Sequence, residues 1–264
     1  MIDYHVHSHH SCDAYSTMAS IAEAAHRTGL QGFAFTDHLE WIPEDEATGF
    51  LNFEAYFAEL RALQAQWNGT LEVLAGIEIG NPHLFSEQVR TALSAWPWDY
   101  VLGSTHWADN IPGWLPVAFD DGIEVAYERY FRELLILARE GEFDVMAHFD
   151  LVRRDSWAQL QQTLPIEDYA GVVDAVLESV IARGKGLEIN TSPLSRGLAE
   201  PCPGLNVLRR YRALGGEILV FGSDAHKPER VGQHFEQARL LAKEAGFSHL
   251  AHYRERQIVG WEPL

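Results

Sequence analysis

The feature that most constrains this fold is a recurring unit. A short apolar run ends in a charged or metal-competent side chain, and a stretch of helical periodicity follows. The runs are Ile2-Asp3-Tyr4-His5-Val6-His7, Gly32 through Thr36-Asp37-His38, and Leu71 to Gly80 with Glu78 near its end. They continue with Tyr100 to Trp107 carrying His106, Asp144 to Asp150 carrying His148, Gly186 to Ser192, and Glu217 to His226 carrying Asp224. Between them, residues 16–29, 53–67, 84–95, 122–139, 165–183, 205–214 and 230–245 read as helices, several bounded by Gly or Pro. Seven strands alternating with helices predict parallel strands joined by right-handed crossovers. The count suits a TIM-like (β/α)7 barrel of the α/β class, with an open doubly wound sheet as the alternative. The length of 264 residues fits one such domain over 1–264, and no internal repeat, low-complexity tract or linker interrupts it.

Six of the seven runs end in nitrogen or oxygen donors, at the end of the strand where barrels of this type build their active sites. His5 and His7 are two apart, so on a strand both imidazoles point to one side. Taken alone, His5-Val6-His7 is equally a polar terminus. The recurrence with His38, Glu78, His106, His148, Asp224 and His226, plus Asp13 on the loop after the first strand, argues for a shared site. Nine donors exceed what one ion uses, so two or three divalent ions are expected, with Glu78 bridging two. A set without thiolate suits zinc, manganese or iron.

Charge narrows the partners. With 38 acidic against 20 basic residues the formal net charge is −18. Such a surface repels nucleic-acid backbone and anionic membrane, so the expected partner is a small molecule and not a long polyanion. An anionic substrate would be met by metal ions or a few placed arginines. Two cysteines, Cys12 and Cys202, fit a reducing cytoplasm, and the first residues lack the basic and apolar regions of a signal peptide. Cys12 reads as a small buried residue. The long loop over residues 108–121, with Trp114 and two prolines, reads as functional. Asp37 is placed to orient a neighbouring ligand. Trp96 and Trp98 are expected on the barrel exterior. Of the remaining histidines, His9 and His83 are near enough to reach a substrate, while His10, His26, His234, His249 and His252 read as exposed or structural.

These residues resemble the PHP (polymerase and histidinol phosphatase) superfamily. The match runs through His5-Val6-His7, Thr36-Asp37-His38, Gly76-Ile77-Glu78-Ile79, Gly103-Ser104-Thr105-His106, Ala147-His148-Phe149-Asp150 and Gly222-Ser223-Asp224-Ala225-His226. Asp99 to Ser104, Glu188-Ile189-Asn190-Thr191-Ser192 and Asp224-Ala225-His226-Lys227-Pro228 resemble the stand-alone histidinol-phosphatase branch. The resemblance implies a distorted seven-stranded barrel with a trinuclear centre. His5, His7, Glu78 and Asp224 would hold one ion, Glu78, His106 and His148 a second, and Asp13, His38 and His226 a third. Many members of the superfamily carry His where this chain has Asp13, although Asp is also typical of the histidinol-phosphatase branch. An oxygen donor there hardens the third site toward manganese or iron.

The implied reaction is metal-dependent hydrolysis of a phosphate monoester, L-histidinol phosphate first, a step of histidine biosynthesis. Glu78, Asp224 and His226 would stand closest to the chemistry. Two rival readings are a PHP phosphoesterase acting on nucleotides or another small ester, and a non-catalytic metal-binding module, which nine intact donors argue against. Arginine grips phosphate with two prongs. Arg196, on the loop after the sixth strand, is the first candidate and Arg154 the competitor, with Arg153 and Arg230 behind them. Glu40, Glu44 or Asp45 would receive the amino group or imidazole.

Overall fold

The computed structural model describes residues 1–264. In chain order the elements are β1 (Ile2–Val6), α1 (Met18–Arg27), β2 (Gly32–Phe35), β3 (His38–Leu39), α2 (Phe53–Trp67), β4 (Glu72–Gly80), α3 (Ser86–Ala95) and β5 (Tyr100–Ser104). Then come β6 (Trp107–Ala108), β7 (Ile111–Pro112), α4 (Ile123–Glu140), β8 (Val145–Met146), α5 (Leu151–Leu160), α6 (Ala170–Ala182) and β9 (Gly186–Asn190). The chain ends with α7 (Leu205–Ala213), β10 (Leu219–Gly222), α8 (Phe235–Glu244), β11 (His249–Arg254) and β12 (Gln257–Pro263).

Seven parallel strands follow the order β1-β2-β4-β5-β8-β9-β10, with β3 continuing alongside β4. The sheet curls until its ends meet. Val6 bridges Ala225 in parallel, and the His7 N–H donates to the Ala225 carbonyl at 2.9 Å. The Asp3 carboxylate clasps the same seam, accepting from the Ser223 N–H, the Ser223 hydroxyl and the Gly232 N–H. The barrel expectation therefore holds and the open sheet does not.

Strand alternation sorts the side chains. Outward residues such as Phe33, Phe35, Val73, Ile77, Val101, Leu187 and Phe221 join the large core beneath the helices. Trp98 is buried in that layer and Trp96 stacks on Phe57 there at 4.8 Å, outside the barrel as expected. Inward residues divide by height. The lower interior is apolar, with Ile2, Tyr4, Leu74, Tyr100, Leu102, Val145 and Val220 in one cluster. The upper interior is ionisable. On β1 the pairing register shifts between Asp3 and Val6, so both Tyr4 below and His5 above face inward.

Three elements were not foreseen. α5 begins directly after β8, so Arg153 and Arg154 stand on a helix and not on a loop. Its sequence, Leu151-Val152-Arg153-Arg154-Asp155, shows little apolar periodicity because its inward face is partly polar, with Asp155 and Ser156 buried. The β6 and β7 ribbon folds the start of the long loop back on itself. The β11–β12 hairpin covers the bottom of the barrel. Ala251 and Tyr253 enter the inner apolar cluster, and the Tyr253 N–H donates to the Tyr4 hydroxyl at 2.9 Å. Helix starts also moved inward, since residues 82–85, 166–169 and 228–230 form short 3-10 turns. No helix is long and apolar enough to cross a membrane.

Candidate metal centre

The nine donors foreseen from sequence meet at the upper end of the barrel. His5 and His7 bring their Nε2 atoms to 3.0 Å from each other. Asp224 Oδ1 lies 3.4 Å from His7 Nε2 and 3.8 Å from His5 Nε2, and Glu78 Oε2 lies 3.1 Å from His5 Nε2. Glu78 reaches the other way as well. Its Oε1 lies 2.9 Å from His148 Nε2 and 3.3 Å from His106 Nε2. His38 Nδ1 stands 3.1 Å from Glu78 Oε2 without the alignment of a hydrogen bond. Asp13 Oδ2 is 3.0 Å from His226 Nε2 and 3.6 Å from His38 Nε2, on the more exposed lip of the site.

Four groupings at the barrel mouth have the spacing to hold ions: His5 with His7 and Asp224, Glu78 with His106 and His148, His7 with His38 and His226, and His38 with Glu40 and His106. The residues present fit such ions. Ring nitrogens face one another where only one could carry a proton between them, and buried ring nitrogens stand beside carboxylates without hydrogen-bond geometry. Contacts of about 3 Å between donors are those of ligands around a common ion, whose bonds are about 2.0–2.2 Å for zinc.

The charges are strongly coupled. Burial works against a protonated His5, yet the carboxylates of Glu188, Glu78 and Asp224 hold its pKa well above the ordinary value. His38 is likewise held high by Glu78 and Asp13 against its burial, and His106 is raised to about 10 by Glu40 and Glu78. His7 goes the opposite way, to about 3, because burial is reinforced by the neighbouring His226 and His38. Burial pushes Glu78 and Asp224 up, but the surrounding histidines, and Arg154 for Asp224, hold both well below the carboxylate range.

A supporting layer fixes the donors. Glu188 Oε1 accepts from His5 Nδ1 at 2.7 Å, and its Oε2 accepts from the His148 N–H at 2.7 Å. Glu40 Oε1 pairs with His106 Nδ1 at 2.6 Å, and the Ser104 hydroxyl donates to Glu78 at 2.5 Å. Asp37 acts through an intermediary. It accepts from the Ser8 and Ser11 hydroxyls, and Ser11 Oγ in turn lies 3.1 Å from His7 Nδ1. Two glycines make room. A Cβ on Gly222 would sit 1.9 Å from Glu188 Oε1, and one on Gly80 would sit 2.0 Å from the Glu40 carboxylate. Asp224, with φ of 53°, and His148, with φ of 22°, hold left-handed backbone that costs about 1–3 kcal/mol each and is tolerated where a site demands it.

Of these supports, Asp37 alone was assigned such a role from the sequence. Glu188 had a signal, a carboxylate in the middle of the apolar strand Gly186-Leu187-Glu188-Ile189-Asn190, whose inward parity matches that of Glu78. Glu40 is only 2% exposed and committed to His106, so it does not receive a substrate amine as expected. Asp45 accepts from Trp107 Nε1 at 2.7 Å, which ties it to the long loop. His83 is also corrected. Its ring is buried and committed to Glu133 at 2.6 Å, so it is not free to meet a substrate. Both cysteines are free; Cys202 is buried and Cys12 only partly so.

Both arginine candidates reach the rim. Arg154 Nη1 donates to Asp224 Oδ2 at 2.9 Å, and Arg153 is instead committed to Asp150 at 2.8 Å. Arg196 lies exposed on the 3-10 turn Ser192–Arg196, and its carbonyl accepts from Trp157 Nε1 of α5. The nearby Arg154 charge lowers its pKa, so the two guanidinium groups share one neighbourhood. Trp114 stands edge-on to His106, ring centroids 6.4 Å apart.

Known proteins share this arrangement of chain. A probable histidinol-phosphatase from Deinococcus radiodurans is 28% identical over 253 residues, covering 93% of this chain and 94% of the relative. The histidinol-phosphatase of Lactococcus lactis is 26% identical over 261 residues, covering 97% and 96%. A crystal structure of the histidinol phosphate phosphatase from Lactococcus lactis, complexed with zinc, L-histidinol and phosphate, superimposes with a TM-score of 0.86 at 25% identity, covering 98% of each chain. The model of the PHP domain matches residues 3–192, well over half of the sequence. The chain belongs to the PHP domain family.

Proposed function

We propose that this protein is a metal-dependent phosphatase that hydrolyses L-histidinol phosphate to L-histidinol and phosphate, a step of histidine biosynthesis in the cytoplasm. The observation that carries the reading is the convergence of nine nitrogen and oxygen donors around Glu78, in a chain that overlays end to end on a phosphatase holding zinc, L-histidinol and phosphate. In this reading the centre takes three divalent ions, zinc, manganese or iron. His5, His7, Glu78 and Asp224 would hold one, Glu78, His106 and His148 another, and Asp13, His38 and His226 the third. Such ions supply Lewis acidity, a nucleophile formed from water at neutral pH and neutralisation of phosphoryl charge.

The protein's own groups do the positioning. Glu78 would be shared between ions, since its two oxygens lie within 3.5 Å of ring nitrogens of five histidines. Arg154, anchored on Asp224, and Arg196, its neighbour on the rim, would clamp the phosphoryl oxygens. Asp13 and His226 occupy the exposed lip, where the alcohol departs and solvent can return a proton to it. The acidic surface suits a substrate that also carries a cationic amine.

The test is turnover of L-histidinol phosphate beside nucleoside monophosphates, with bound metals quantified in the same preparation. Preference for L-histidinol phosphate with two or more ions per chain supports the reading. Faster turnover of nucleotides would assign the chain to nucleotide esters, and full activity with fewer than two ions would overturn the bridged centre.

A further inference from the structure

A second convergence of donors lies outside the barrel mouth, and neither the nine-donor centre nor its supporting layer uses it. His9 and His10 follow β1 on the loop that also carries Asp13. Both turn Nε2 toward a single oxygen, Oε2 of Glu59 on α2, at 3.3 Å for His9 and 3.1 Å for His10. The three donor atoms lie within 4.8 Å of one another. One side of the trio is built into the fold. His10 is 8% exposed, its N–H is held by Ser8 Oγ, and its ring meets Tyr56 edge-on. The other side is open, with the His9 side chain 41% and the Glu59 side chain 35% exposed.

A hydrogen bond to Glu59 is enough to explain His10. It does not explain His9. A half-exposed imidazole loses rotamer freedom to lie 4.4 Å from its neighbour's ring, for a contact at the long end of hydrogen-bond range. Coordination accounts for both rings. Two imidazoles and one carboxylate are a common zinc donor set, and bonds of about 2.0–2.2 Å in a tetrahedron put donors about 3.3 Å apart. The two measured separations already approach that edge.

We propose that His9, His10 and Glu59 form a peripheral site for one divalent transition ion, zinc or copper, with solvent completing its coordination. Imidazole with a single carboxylate favours these metals over magnesium or calcium. The ion would tie the loop after β1 to α2 from outside. The inner face of that loop is already tied, through Ser8 and Ser11, to Asp37. A second tie braces the segment that carries Asp13. With three protein donors, one of them exposed, the site should load after the barrel centre and exchange more readily.

Equilibrium dialysis of the metal-stripped protein against zinc tests this, comparing wild type with His9→Ala and Glu59→Gln. Both positions are partly exposed, so neither substitution opens the core. Each variant should hold one equivalent of zinc less than wild type, whatever the total. A second measurement uses cobalt and His9→Cys, which should show a thiolate-to-cobalt charge-transfer band absent from cobalt-loaded wild type. Equal zinc equivalents in all three proteins, or no new band in His9→Cys, would overturn the site. Turnover of L-histidinol phosphate reads the barrel centre separately, so failure of one assignment does not imply failure of the other.

Discussion

The two ends of this barrel are made by the same strands and have opposite chemistry. On β4 the inward residue is Leu74 low in the barrel and Glu78 high in it; on β5 it is Tyr100 low and Ser104 high. The bottom is closed by packing. Tyr4 and Tyr100 lie 4.7 Å apart and Tyr100 and Tyr253 5.4 Å apart, plugged by the β11–β12 hairpin. Its charges are paired at the margin, with Arg256 on Asp144 and Glu142. The top is lined by ionisable groups. It places five imidazoles around one carboxylate, an arrangement that opposes itself unless protons or metal ions offset it. The bottom is stable as it stands, and the top is completed by what it binds.

That contrast predicts that top substitutions cost function and bottom substitutions cost stability. The largest effect should come from Glu78→Gln. Loss of the shared carboxylate charge should remove more activity than the roughly 10–100-fold typical of a group that only orients a ligand, and should lower metal content by at least one equivalent. Retained activity with full metal content would break the comparison at its centre. At the opposite end, Tyr253→Ala should lower stability by about 3–5 kcal/mol, as for other large buried aromatics. Denaturant titration measures that loss. Turnover per folded molecule and metal content should stay near wild type, and a loss of metal would mean the two ends are coupled.

Smaller effects sharpen the picture of the rim. If Arg196 clamps phosphate, Arg196→Lys should reduce kcat/KM about tenfold to a hundredfold, since a hydrogen bond to a charged group contributes roughly 1.5–3 kcal/mol. Arg154→Lys is the control, and it should also disturb metal retention, because Arg154 is bonded to Asp224. Wild-type kinetics in Arg196→Lys with a loss in Arg154→Lys would move the phosphate clamp wholly to α5. Glu188→Gln keeps the shape but removes the charge that orients His5, so metal affinity should fall about 10–100-fold with folding intact.

The last effect is in protons. In the metal-free chain His5 and His38 have pKa values well above the ordinary value, and His106 is raised to about 10, so all three are protonated at neutral pH. His7, lowered to about 3, is neutral already. A ring nitrogen must give up its proton to bind metal, so loading at pH 7 should release protons and metal affinity should rise with pH. A pH-stat titration with zinc measures this. Loading without proton release would mean the charges at the top are not set as described.

Much of the top was legible because its chemistry is written at strand ends. His38, His106, His148 and Asp224 each closely follow an apolar run, and parallel strands bring those run ends to one end of the barrel. The bottom was not legible in the same way. The hairpin residues Ala251 and Tyr253 are ordinary apolar residues in a short C-terminal segment, and nothing local distinguishes a barrel plug from a surface ribbon. α5 was missed for a related reason. Its buried Asp155 and Ser156 break the apolar period, because that face packs toward a polar site.

By itself the sequence determined the alternation of strand and helix, the α/β class and which nine polar side chains lie near the strand ends, because periods of two and of 3.6 residues act locally, whereas closure of the sheet was settled by the Val6–Ala225 seam. Tertiary structure alone decided which donors share a neighbour. It put Glu188 on His5 and Glu40 on His106, and it brought Arg154 rather than Arg153 to Asp224. Those pairings span from 66 to 183 residues of chain, and they depend on how far each strand end rises into the barrel and on glycines that leave space for a carboxylate. No local pattern encodes such distances, since they exist only once the sheet has closed.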